Sequence, residues 1–217
     1  LLPLRALERF ARPAARPRPA AGEACELCAA PVGEAHPHVV DLERRALCCA
    51  CPTCSRLFVQ PGAGARFRTV PDRVRSDPGL ALTDADLAAL GVPVRLVFFA
   101  RGGRDGRWFA TFPGSAGAVE GALDPAAWAA LATRTPLVAA AEPDVEALLA
   151  WGERGEPGIA LLLVPVSACY ALAGLVRRRW RGLDGGPEVW REVADALAAL
   201  RARARPLRPS ERKEPRP

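Results

Sequence analysis

Two short cysteine motifs constrain this chain more than anything else in it. Cys25-Glu26-Leu27-Cys28 is one C-x-x-C and Cys51-Pro52-Thr53-Cys54 is a second, with 22 residues between them. A C-x-x-C turn puts two sulfurs on one side of a tight loop whose backbone N–H groups point at them. Two such knuckles facing each other complete a tetrahedral four-sulfur cage. Soft thiolates in that arrangement select zinc, or a single iron. The spacing therefore predicts a small zinc-ribbon-like, or rubredoxin-like, module over residues 25–60, with Cys25, Cys28, Cys51 and Cys54 as the metal ligands.

Six of the seven cysteines fall between Cys25 and Cys54, so they describe one local site rather than a disulfide scaffold. Cys48, Cys49, His36 and His38 crowd the same stretch and leave the ligand set open. In an extended segment Cys49 and Cys51 point to the same side, so Cys49 either replaces Cys51 or sits beside it. His38 is a possible replacement for one thiolate, and Cys48 is expected to face away. A cage made wholly of protein groups is closed and structural, because a catalytic zinc keeps a position for water. Iron in the same cage would carry electrons. Against iron, Ala29 and Ser55 stand where rubredoxin-type knuckles usually place glycine.

The net charge of +6 divides unevenly: residues 1–24 carry +3, residues 201–217 carry +5, and the middle carries −2. The same two ends hold eight of the 22 prolines, which marks them as solvated tails, 1–24 and 203–217. A specific nucleic-acid surface on the folded part is not expected, and a DNA-binding regulator is disfavoured for the same reason. The opening LLPLRALERFARPAARPRPAAG has no continuous apolar stretch of secretory length. With the closely spaced thiols, this points to a reducing, cytoplasmic setting.

From Gly158 to Val176, nineteen residues pass without a charge and three arginines follow, which has the length of a membrane span. Pro165 and the Ser167–Tyr170 stretch break the run into two strand-length pieces, so a buried hairpin over 159–176 is expected instead. The remaining elements follow from local signals. A short helix at Leu1–Phe10 leads into a Pro-Arg linker at 12–19, and Gly62 and Gly64 mark a joint. Thr83 caps a helix through Leu90, Val94–Ala100 and Arg107–Phe112 form a hairpin, and Asp124–Pro125 opens a helix. Glu142–Asp144 opens another, with Val145, Leu148, Leu149 and Trp151 as its apolar side. Gly186–Pro187 starts a last helix whose Val189, Trp190, Val193, Leu197 and Leu200 share a stripe. This order predicts an α+β domain over 65–202, most simply an antiparallel sheet with helices on one face.

Material for catalysis is thin. No histidine follows His38, Tyr170 is the one tyrosine, and Cys169 sits in the apolar run. No phosphate-binding glycine pattern is present. The chain is expected not to be an enzyme.

Taken together, CELC, HPHVVDLERR, the C-x-C-x-x-C of Cys49–Cys54 followed by Leu57–Phe58, PDVEALL at 143–149 and CYALAGLVRRRWRGLDGGPEVW at 169–190 resemble an uncharacterised bacterial family. Its genes lie in operons for high-affinity uptake nickel–iron hydrogenases. The resemblance covers roughly residues 24–202. It implies a cytoplasmic accessory or assembly factor whose partners are hydrogenase subunits or maturation proteins. It also implies that Cys25, Cys28, Cys49, Cys51, Cys54 and the His36/His38 pair belong to one pattern, with Cys48 outside it.

Overall fold

A computed structural model describes residues 23–60, 66–114, 117–153, 158–179 and 186–208. The expected helix at Leu1–Phe10, the linker at 12–19, Gly62, Gly64, Trp180 and residues 209–217 lie outside them.

The larger unit is a seven-stranded mixed sheet. Its strands are β4 (Arg75–Ser76), β5 (Leu96–Arg101), β6 (Trp108–Gly114), β7 (Gly117–Gly121), β8 (Glu146–Trp151), β9 (Ala160–Pro165) and β10 (Arg205–Pro206). They run in the order β10-β4-β9-β8-β5-β6-β7. Every pairing is antiparallel except that of β10 with β4. The β5–β6 hairpin forms where the sequence places it, and the Gly102 N–H closes its turn on the Arg107 carbonyl at 3.0 Å.

Helices cover both faces of this sheet, not one. Val97, Phe99, Leu148, Ala150, Leu161 and Leu163 point to a core shared with α2 (Asp84–Ala89), α3 (Pro125–Arg134) and α4 (Leu137–Ala140). Leu96, Phe98, Ala147, Leu149, Leu162 and Val164 point the other way, onto α5 (Val166–Arg179) and α6 (Pro187–Arg203). A strand buried on both faces reads as a continuous apolar run rather than an alternating one. Two stretches are corrected, the first for that reason.

The segment after Glu142 is the central strand β8, not a helix. Its six residues are all buried, between β5 and β9. In so short an apolar run, helical and strand spacing both find apolar partners. The run at 159–176 is likewise not a hairpin. Its first half is β9, paired with β8, and its second half turns directly into α5. Cys169, Leu172 and Val176 then fall at i, i+3 and i+7 and bury one helical stripe on the sheet. Among the described residues, no helix is long and apolar enough to cross a membrane.

Local capping follows the sequence closely. The Thr83 N–H donates to Asp86 Oδ2 at 2.8 Å and Thr83 Oγ1 accepts the Asp86 N–H, a reciprocal cap at the start of α2. Asp124 accepts the Ala127 N–H at 2.8 Å ahead of Pro125 in α3. On α6, Val189, Val193, Leu197 and Leu200 are buried, but Trp190 leaves the expected stripe and is 41 % exposed. The chain stays in the fold past residue 203, since β10 pairs with β4 and Leu207 is buried.

The smaller unit is a three-stranded sheet of β1 (His38–Asp41), β2 (Ala46–Cys49) and β3 (Phe67–Thr69), in the order β2-β1-β3, with α1 (Pro52–Arg56) beside it. The third strand comes from beyond the expected module boundary at residue 60. Asp41 fixes the β1–β2 turn. One oxygen accepts the Glu43 and Arg44 N–H groups, and the other accepts Arg66 Nε and Nη2 at 3.0 and 2.6 Å. The Arg66 hydrogen bonds, followed by those amides, outweigh burial and hold the Asp41 carboxyl at about 2.

Two contacts lock this unit to the large sheet. Val40, Val70 and Val145 form a small apolar cluster with Leu42, Leu47 and Val166 around it. Beside it, Arg68 binds Glu142 at 2.9 Å and the Pro143 carbonyl at 2.9 Å. Within the large unit, just before β4, Arg73 grips the fully buried Glu146 with two hydrogen bonds of 2.7 and 2.8 Å.

Candidate metal centre

The first knuckle is a turn held by its own backbone. Ala29 N–H donates to the Cys25 carbonyl at 2.7 Å and Cys25 N–H to the Ala30 carbonyl at 2.8 Å. Ala29 reaches this geometry with φ at +63°, the left-handed region that disfavours a β-carbon. Ala29→Gly is therefore expected to raise stability by about 1 kcal/mol. Denaturant titration of the metal-loaded protein checks this, and a loss of stability would contradict the assigned turn.

The second knuckle is built differently. Cys51 is the N-cap of α1, with Pro52 in the first turn, and its sulfur accepts the Cys54 N–H at 3.4 Å. Ser55 lies within α1 and its N–H goes to the Cys51 carbonyl at 3.0 Å. Ser55 is buried, its hydroxyl donates to the Pro52 carbonyl, and its own carbonyl accepts the Thr69 hydroxyl. The knuckle is thus stapled to β3.

The two turns meet. The sulfurs of Cys25, Cys28, Cys51 and Cys54 all lie within 4.8 Å of one another, and Cys28 and Cys51 are 3.8 Å apart. A metal–sulfur bond of about 2.3 Å in a tetrahedron requires sulfur–sulfur edges of about 3.8 Å. None of the cysteines is in a disulfide. The electrostatics point the same way. Burial pushes the Cys25 thiol up, but backbone N–H groups of Cys51, Cys28 and Leu27 overcome it and bring the thiol down to about 6. Cys54 is driven to about 12 by sharing its proton with Cys28 and Cys51. One thiolate forms readily and the last is strongly opposed. Four thiolates at this spacing need a cation to hold them together.

Cys49, His36 and His38 do not enter this cage. They form a second group whose ligating atoms also lie within 4.8 Å of one another. His38 and Cys49 face each other across the β1–β2 ladder, and the His36 and His38 rings are 4.7 Å apart. Burial lowers the His38 pKa, with His36 adding to the effect. Cys48 belongs to neither group and packs on Val39 and Ala50 in the module's small core. Cys169 lies in the main core, and burial raises its thiol far above its ordinary value.

A model for a protein family matches residues 24–204, which is most of the chain. The chain belongs to DUF5947, a family of unknown function. No curated protein and no solved structure matches it. The DUF5947 match takes in both cysteine knuckles, the His36/His38 pair and every strand of the large sheet except β10. The sequence places Glu146 in the first turn of an expected helix, where a carboxylate favours the dipole; in the structure it is buried at the start of β8 and paired with Arg73, a partner 73 positions away.

Proposed function

We propose that this DUF5947 protein is a non-enzymatic accessory or assembly factor that acts through protein–protein contacts, with zinc in the Cys25/Cys28/Cys51/Cys54 cage as a structural ion. The observation that carries the reading is the closed cage of four protein thiolates, which leaves no coordination position for a substrate. Zinc would make the small unit fold, because its own core holds only Cys25, Val39 and Ala50 as fully buried apolar residues among those described.

Two surfaces support a role in binding another protein. Leu57 and Val59, directly after the second knuckle, are 71 % and 62 % exposed. An open groove of about 1150 Å³ runs between the β1–β2 turn and the β5–β6 turn, lined by Arg45, Arg66, Arg104, Arg107 and Trp108 among others. The partner we propose, in a cytoplasmic setting, is a nickel–iron uptake hydrogenase or its maturation proteins; the sequence resemblance is the support for that choice.

The second reading is an iron cage carrying single electrons. The helical second knuckle favours zinc over it. Ser55 N–H is spent on the Cys51 carbonyl and Leu57 N–H on that of Cys54, so those amides do not tune the sulfurs as an iron–sulfur site requires. Elemental analysis of protein purified from a native host, with the proteins that accompany it identified, tests both parts. A colourless protein with zinc retained through dialysis, accompanied by hydrogenase components, is the expected result. A red sample bleached by dithionite would remove the zinc reading, and the absence of hydrogenase components would remove the partner.

A further inference from the structure

We infer that His36, His38 and Cys49 form a second metal site, independent of the four-cysteine cage, for a borderline divalent first-row cation such as zinc or cobalt. Two imidazoles and a thiolate are the donor set that such ions prefer. The three ligating atoms are already within 4.8 Å of one another.

His36 supplies the deciding observation. Its Nδ1 lies 2.7 Å from the Gly33 carbonyl oxygen, which can only accept, so Nδ1 carries the hydrogen and Nε2 the lone pair. The side chain is 5 % exposed, and Nε2 is fully buried with no hydrogen-bond partner. A buried ring nitrogen without a partner is costly. A ring whose other N–H is anchored on a backbone carbonyl is the arrangement metal-binding histidines use to fix tautomer and orientation. Glu23 Oε2, 3.5 Å from Nδ1, adds a negative charge on the same side.

Cys49 is held just as firmly. Its N–H donates to Glu26 Oε1 at 2.8 Å and its carbonyl accepts the Glu26 N–H at 2.9 Å. Glu26 is inside the first knuckle and Cys51 follows Cys49 by two residues, so the two sites share a backbone frame. Three protein ligands leave one position of a tetrahedron open. His38 and Cys49 are partly exposed, so ions reach the site from their side. The ion there should exchange more readily than the one in the cage.

Cobalt(II) titration of the full-length apoprotein tests this. Wild type should bind two ions per chain, the second released first by a weak chelator. His36→Ala and Cys49→Ser should each bind one, while the thiolate-to-cobalt charge-transfer bands of the cage persist and report an intact fold. The chain has two histidines and both are in this group. In cobalt-loaded wild type, a paramagnetically shifted imidazole N–H resonance therefore reports the site without any substitution. One ion per wild-type chain, or two in the His36→Ala protein, would overturn the inference. The absence of a shifted imidazole signal would overturn it as well.

Discussion

Cys54→Ser should remove the ion from the four-sulfur cage and unfold the β1–β2–β3 unit while leaving the large sheet standing. Cys54 is one of the four cage sulfurs, and its ionisation is opposed by Cys28 and Cys51 beside it. Without it three sulfurs remain, and the helical knuckle loses its purpose. Metal-binding free energies of structural zinc are roughly 10–16 kcal/mol near neutral pH, which far exceeds what so small an apolar cluster contributes. The large sheet has two cores of its own, one on each face. The expected readout is the loss of cage-bound metal by elemental analysis. Hydrogen exchange should rise sharply over residues 24–58 and stay near wild type in β5, β8 and β9. Chelation of the wild type should give the same pattern. Protection in residues 24–58 that survives metal removal would show that the ion does not hold the unit.

Glu146→Ala should destabilise the protein by about 3 kcal/mol, the low end of the cost of breaking a buried ion pair. Glu146 is fully buried at the start of β8. It accepts both Arg73 hydrogen bonds and the Glu142 N–H at 3.0 Å. Removing it leaves the Arg73 guanidinium, whose side chain is 22 % exposed, without its bidentate partner. Glu142 stays 3.6 Å away and softens the loss, which is why the low end applies. Urea denaturation of metal-loaded protein measures the effect. The double change Arg73→Met with Glu146→Leu should recover most of it, because the cost lies in removing one partner of a buried pair rather than in the absence of the pair. A single change within 0.5 kcal/mol of wild type would mean that the buried pair contributes little to stability.

The consequences of these two substitutions differ because the units are held by different forces. One rests on a few hydrogen bonds and a four-cysteine cluster suited to a cation; the other rests on buried aliphatic area. The Arg68–Glu142 pair connects them beside the groove lined by Arg45, Arg66 and Trp108. The exposed Leu57 and Val59 next to the second knuckle fit the proposed protein-binding role.

Local chemistry was readable from the residues alone. The two C-x-x-C turns, the Thr83 and Asp124 caps, the β5–β6 hairpin and the stripe of Val189, Val193, Leu197 and Leu200 each depend on neighbours within a few positions. Only the tertiary structure decided the rest. β8 reads as a helix because a strand covered on both faces carries no alternation, and α5 reads as a strand because a short apolar run satisfies either spacing. The separation of His36, His38 and Cys49 from the cage depends on the β1–β2 register, which sets His38 opposite Cys49. Glu146 meets Arg73 across 73 positions of chain, a distance at which no local rule applies. Short-range geometry is written in the order of the residues, whereas the meeting of distant side chains exists only once burial has brought the chain together.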